Sequence, residues 1–166
     1  EANPPCIKSA SGFDIPYGLK AANYTPRFSL RPALRSFGMN PPLDAVKSVI
    51  KQFVLHHDGC TSAEMCWNVL QNERGLSCHF IIDNDGTIFT IDLALCAWHA
   101  AEFNPNSIGV EFCNRGDANQ FRDVYASGRF GPVRDTKPCK INNHTILAYD
   151  YTREQKESFR LLAKAL

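Results

Sequence analysis

Phe53-Val54-Leu55-His56-His57-Asp58 is the stretch on which the reading of this chain turns. Its β-branched and aromatic residues, closed by Asp58-Gly59, read as a buried strand that carries two imidazoles to the point where the chain leaves a sheet. Successive strand residues point to opposite faces, so His56 and His57 do not easily serve one ion. One of them is a candidate metal ligand, and the other is a structural group or a support behind the ligands.

Before this strand, Leu43, Val46, Val49 and Ile50 fall at helical spacing. After it, Thr61-Ser62-Ala63-Glu64 fits a capping box with Thr61 as the cap. Met65, Cys66, Val69 and Leu70 then share one face of a helix that runs to about Arg74-Gly75. The runs Cys78 to Ile82 and Thr87 to Ile91 flank Asp83-Asn84-Asp85-Gly86, the strongest hairpin signal in the chain, and bring His79 to the start of a strand near His56. Ala97-Trp98-His99-Ala100 is a loop-like cluster of aromatic and histidine side chains. From Ser107 to Cys113 the pattern alternates, with Ile108, Val110 and Phe112 on one side and Ser107, Gly109, Glu111 and Cys113 on the other. Glu111 thus has open space beside it, and a buried carboxylate there needs a partner such as an imidazole or a metal-bound water.

Residues 114–151 are looser in pattern and read as a long surface insertion, with a small hairpin around Asn142-Asn143 and an exposed His144. Thr152-Arg153-Glu154-Gln155 is a second capping box, and Phe159, Leu162, Ala163 and Leu166 follow on one helical face. Residues 1–42 hold seven of the ten prolines and read as an extended, Pro-rich arm packed on the core, with the folded domain over 43–166.

A chain of 166 residues with 44% hydrophobic and 21% charged residues is long enough to bury a core as a single domain. A net charge of +1 with both signs interspersed argues against a nucleic-acid groove or a polybasic membrane patch. The sequence has no apolar run of the roughly 18 residues that a membrane span needs. Glu1 to Pro5 has neither the basic start nor the apolar stretch of a signal peptide, so an exported form is expected to have lost its signal. The seven cysteines (6, 60, 66, 78, 96, 113 and 139) form no Cys-x-x-Cys zinc knuckle. An oxidising compartment allows three bridges, and a reducing one leaves small buried hydrophobes. Cys60 and Cys66, which flank a helix start, are placed to pair locally.

Four blocks in order, Phe53 to His57, Leu76 to Phe89, Ala97 to Ala100 and Asn106 to Glu111, resemble the zinc-dependent N-acetylmuramoyl-L-alanine amidases, whose fold is shared with amidase-type phage lysozymes and animal peptidoglycan recognition proteins. The resemblance covers about residues 50–166. It implies an α/β fold with a single mixed central sheet and helices packed on it, and hydrolysis of the amide between N-acetylmuramic acid and L-alanine in peptidoglycan. By position, His56 is similar to the first zinc ligand and Glu111 to the catalytic carboxylate. His79, Trp98 and His99 are expected to line the substrate groove. Cys78 stands where several relatives have a tyrosine near the scissile bond, and Cys60 and Cys66 resemble a disulfide pair of the animal relatives. The family's remaining zinc ligands come from a loop after the helix that resembles Thr152 to Leu166, so they are expected beyond Leu166, on a longer chain or on a second polypeptide that completes the site. A secreted or cell-envelope location follows from the substrate. The alternatives are a module that recognises muropeptide without cutting it, and an amidase-like hydrolase of another amide.

Overall fold

The computed structural model describes residues 7–9, 28–38 and 40–166. Its centre is a five-stranded mixed sheet built from β1 (Ile7–Ser9), β3 (Gln52–His57), β4 (Phe80–Ile82), β5 (Ile88–Thr90) and β7 (Ser107–Phe112), in the spatial order β1-β5-β4-β7-β3. Strands β3, β7 and β4 run parallel to one another, β5 returns antiparallel to β4, and β1 pairs parallel with β5. The expected mixed sheet with helices packed on it is therefore present. Two smaller sheets are attached, one pairing β2 (Phe28–Leu30) with β6 (Leu95–Ala97) and the other β8 (Thr136–Ile141) with β9 (His144–Tyr149).

The alternation along β7 divides the core. Ile108, Val110 and Phe112 join Phe80, Ile82, Ile88 and Leu162 on one face, beneath α3 (Arg153–Ala165). On the other face Ile81, Cys60, Ala63, Cys66, Trp67 and Leu70 pack beneath α2 (Ala63–Asn68) and the π-helical turn Val69–Arg74. A third cluster joins α1 (Leu43–Val49) to the 3-10 turn Pro32–Phe37 through Leu34, Val46 and Val49. Both faces of β7 are buried, as a strand between two layers requires.

The strand of the two histidines differs from expectation. β3 lies at the sheet edge, and Leu55 is 53% exposed, because no further described strand or helix covers that side. The first capping box also shifts by one residue. Ser62, not Thr61, is the cap, and its hydroxyl accepts from the Met65 amide at 3.2 Å. The buried face of α2 consequently carries Ala63, Cys66 and Trp67, while Met65 is exposed.

The second box forms as read. Thr152 Oγ1 accepts from the Gln155 amide at 3.0 Å, and Gln155 Oε1 accepts from the Thr152 amide at 3.1 Å. The hairpin turn before β5 meets this helix so closely that a Cβ on Gly86 would lie 2.8 Å from Ser158 Oγ, and the φ of +83° at Gly86 adds a second reason for glycine. In the β8–β9 turn, Asn142 and Asn143 take positive φ values of 47° and 67°, the type I′ geometry that suits the strand twist.

Residues 114–151 are less of a surface insertion than their pattern implies. Tyr125 and Arg134 are buried, and Arg134 Nη2 donates to the Cys113 carbonyl, to Asn84 and to Gln155 Oε1. Gln155 Nε2 in turn donates to the carbonyls of Ile82 and Cys113 at 3.2 and 2.9 Å. The segment is thus bolted to the sheet by a buried polar network, which propensity alone does not reveal.

Much of the expected arm lies outside the described residues, namely 1–6, 10–27 and 39. Its described parts are built into the fold: β1 extends the main sheet, β2 pairs with β6, and Arg31 is fully buried.

Candidate functional site

The register of β3 on β7 sets the site. His56 lies directly opposite Glu111 on adjacent parallel strands, one residue before each strand ends. Residues in that register project to the same face, so the imidazole and the carboxylate meet at the carboxyl end of the strands, where open α/β sheets hold ligands. They border a cavity of about 160 Å³ that is also lined by His57, Asp58, Cys60, Cys66, Val69, Leu70, Arg74, Leu76 and His99.

Glu111 is only 6% exposed, and its Oε2 is buried with no hydrogen-bond partner among the described residues. Burial and the nearby Asp58 carboxylate push its pKa up to about 8, against a lesser pull from Arg74. Asp58 is itself raised to about 6 by burial, although its Oδ1 accepts from the amides of Cys60 at 2.8 Å and Asn114 at 3.1 Å. Two carboxyl groups raised together at one cavity mark a place prepared for a positive charge or a proton in transit.

The histidines form a relay. His56 Nε2 lies 3.0 Å from His99 Nδ1, and His99 Nε2 lies 3.0 Å from Ser107 Oγ. All three are satisfied when Ser107 donates to His99 and His99 donates to His56, which leaves both rings neutral. Burial favours that state, lowering the pKa of His56 and taking His99 down to about 4 with help from His56 and Arg31. His57 points to the other side of β3, with Nδ1 3.2 Å from the Tyr151 hydroxyl.

His79, expected on the groove, is 0% exposed and does not reach the cavity. Its Nδ1 accepts from the Gly109 amide at 3.1 Å, and Nε2 faces the Leu95 carbonyl at 2.9 Å. A neutral ring with Nε2 protonated meets both demands, and burial holds the pKa down at about 3. His79 therefore stands behind His99, the rings meeting edge to face at 5.8 Å. Trp98, 41% exposed, lies outside the cavity lining, and its backbone amide donates to Ser77 Oγ at 2.7 Å. His144 is exposed on β9, as read.

Gly109 keeps the site open. A Cβ there would lie 2.6 Å from His99 Nδ1 and 2.8 Å from Cys78 Sγ. The missing side chain lets Cys78 approach from beneath, so that one donor atom from each of His56, Cys78 and Glu111 lies within 4.8 Å of the others. A second such group joins Asp58, Cys60 and Cys66, whose thiols are free and buried. Gly109→Ala is expected to displace His99 and Cys78, costing about 1–3 kcal/mol through overpacking. Urea unfolding measures that cost, and the His99 ring signals should shift in NMR spectra.

Several residues here escaped the sequence reading. Arg31 donates to the Ser107 carbonyl and packs against His79 from a Pro-flanked segment that has no periodicity to mark it. Asp58 was legible only as the first residue of an Asp-Gly turn. Arg74 was read as a helix end, although its guanidinium faces the cavity of Glu111.

One similar solved structure is the N-acetylmuramyl-L-alanine amidase AmiD from E. coli in complex with anhydro-N-acetylmuramic acid-L-Ala-D-gamma-Glu-L-Lys, with 19% identity and a TM-score of 0.46 over 70% of this chain and 42% of that one. Another is the Drosophila peptidoglycan recognition protein SA, with 16% identity and a TM-score of 0.48 over 98% of this chain and 72% of that one. The chain thus spans less than half the length of AmiD. No curated protein matches. The family model described as N-acetylmuramoyl-L-alanine amidase matches residues 46–166, which takes in β3, β4, β7 and every side chain of the cavity, and the chain belongs to that family.

Proposed function

We propose that this protein hydrolyses the amide between N-acetylmuramic acid and L-alanine in peptidoglycan, with zinc held at His56 and Glu111 as the catalytic carboxylate. The observation that carries the reading is the pairing of His56 with Glu111 across β3 and β7, with Glu111 Oε2 buried and unpartnered. A structural salt bridge is the ordinary reason for a buried glutamate, and none is formed by Glu111 among the described residues.

The residues fit the metal. One donor atom each from His56, Cys78 and Glu111 lies within 4.8 Å of the others, Glu111 carries an orphaned oxygen, and Gly109 leaves room for Cys78 Sγ and the His99 ring beside them. Zinc accepts all three donor types and, when bound, supplies Lewis-acid polarisation of the scissile carbonyl. His56 would hold the ion, and were it to do so through Nε2, the nitrogen that accepts from His99, the Nδ1–H of His99 would be left free to meet the substrate. Glu111 accepts the proton of the attacking water at its carboxylate and passes it to the amine of the departing L-alanine. A positive charge beside Glu111 stabilises the ionised form and brings its pKa down from about 8 towards working pH.

In this reading the exposed indole of Trp98 offers a flat face to the sugar or peptide. Residues 43–166 form the amidase-like domain, and Arg31, from the segment before it, supports the site. The protein acts outside the cell or in the envelope, where its substrate lies. No described helix is long and apolar enough to cross a membrane.

The test is digestion of purified muropeptide with and without a chelator, with products identified by mass. Release of free stem peptide that stops on chelation and returns with zinc supports the proposal. Tight binding of muropeptide with no cleavage at any metal loading would replace it with recognition alone.

A further inference from the structure

We propose that Cys78 is a thiolate ligand of the metal site, binding the same ion as His56 with the Glu111 carboxylate facing it. The inference rests on the zinc reading above and goes beyond it, because it places a sulfur donor inside this chain at a position where the family resemblance offers a tyrosine.

Three observations converge on Cys78. Its Sγ lies within 4.8 Å of both the His56 and the Glu111 donor atoms, a gap that side-chain rotation closes to the spacing of ligands on one ion. Its approach is made possible by Gly109, where any side chain would collide with Sγ at 2.8 Å. Glu111, the third residue of that group, has its Oε2 buried without a hydrogen bond among the described residues, and Arg74 reaches it only as a weaker, more distant charge. Cys78 packs in the core cluster under α2, so its sulfur is shielded from solvent oxidants and disulfide exchange. Imidazole with thiolate suits a borderline-soft divalent cation such as zinc or cobalt and disfavours magnesium or calcium. Binding removes the thiol proton to solvent, so no other reactant is needed.

The experiment is titration of the reduced protein with cobalt, read by absorption. The wild type should take up one cobalt with visible ligand-field bands and a near-ultraviolet sulfur-to-cobalt charge-transfer band. Cys78→Ser should lose the charge-transfer band and bind more than about 100-fold more weakly, a ligand mattering more than its surroundings. The Cys60→Ser/Cys66→Ser double variant should keep the band. Zinc-edge X-ray absorption on the wild type needs no variant and should show one sulfur at about 2.3 Å.

Cobalt bound with ligand-field bands but no charge-transfer band overturns the thiolate ligand and leaves the His56 site standing. A band that survives Cys78→Ser and vanishes in the double variant moves the ion to the Asp58, Cys60 and Cys66 group and overturns it as well. No cobalt or zinc uptake by any form overturns this inference together with the zinc mechanism.

Discussion

Glu111→Gln is expected to lower muropeptide hydrolysis by about 10²–10⁴-fold while the protein stays folded. Glutamine keeps the shape of the side chain and its place on β7 opposite His56, but it cannot accept a proton from water. The loss should fall on kcat, with KM little changed, because the group acts on the reacting water rather than on ground-state binding. A variant that retains more than a tenth of wild-type turnover would remove Glu111 from the chemistry.

The same substitution has a stability signature with a defined sign. The Glu111 carboxyl titrates near pH 8 in the folded metal-free protein, above its ordinary 4.5, so between those values the folded state holds a proton that the unfolded state has released. Stability therefore falls as pH rises through that window, by on the order of a few kcal/mol. Asp58, raised from 3.8 to about 6, adds a smaller loss lower in the range. Urea midpoints of the metal-free protein at pH 5 and pH 8 should differ clearly in the wild type and much less in Glu111→Gln. Equal slopes would mean that Glu111 is ionised in the folded state.

Arg31→Ala should be the most damaging single change to stability, costing more than about 4 kcal/mol. Arg31 is 0% exposed, and no carboxylate pairs with it among the described residues. Its charge is met by backbone dipoles instead. Nε donates to the Leu93 carbonyl at 2.7 Å, Nη1 to those of Asn104 and Pro105 at 3.2 and 2.8 Å, and Nη2 to that of Ser107 at 2.8 Å. Truncation leaves these buried carbonyls without donors and opens a cavity beneath His79 and His99. Lysine should restore little, since one ammonium cannot reproduce the planar fork that serves carbonyls on three sides. Urea unfolding measures the cost, and a change under about 1 kcal/mol in the alanine variant would show that water replaces the guanidinium. Because Arg31 holds the start of β7 through Ser107, Arg31→Ala should also disturb the His99 to His56 hydrogen bond.

The elements with a strong local code were readable from the chain by itself. The Asp83 to Gly86 hairpin, the Asn142-Asn143 turn, the Thr152 box and the alternation of β7 each depend on residues within a few positions of one another, so composition and period suffice. The period of β7 put Glu111 on its face, whereas the period of β3 left His56 and His57 as alternatives that only the family resemblance separated. Tertiary structure alone decided the rest. β3 lies at an edge because strand order depends on pairings between residues more than fifty positions apart, which no local pattern encodes. His79 was expected on the groove because its strand begins near His56, yet the Gly109 amide and the Leu95 carbonyl enclose it. Arg31 and Arg134 carry no local signal of burial, because a buried arginine is specified by distant carbonyls that converge only after folding. The cavity itself is of this kind. Its donors come from separate strands and the turns beside them, and only the pairing of those strands brings them together, with Gly109 leaving room for His99 and Cys78.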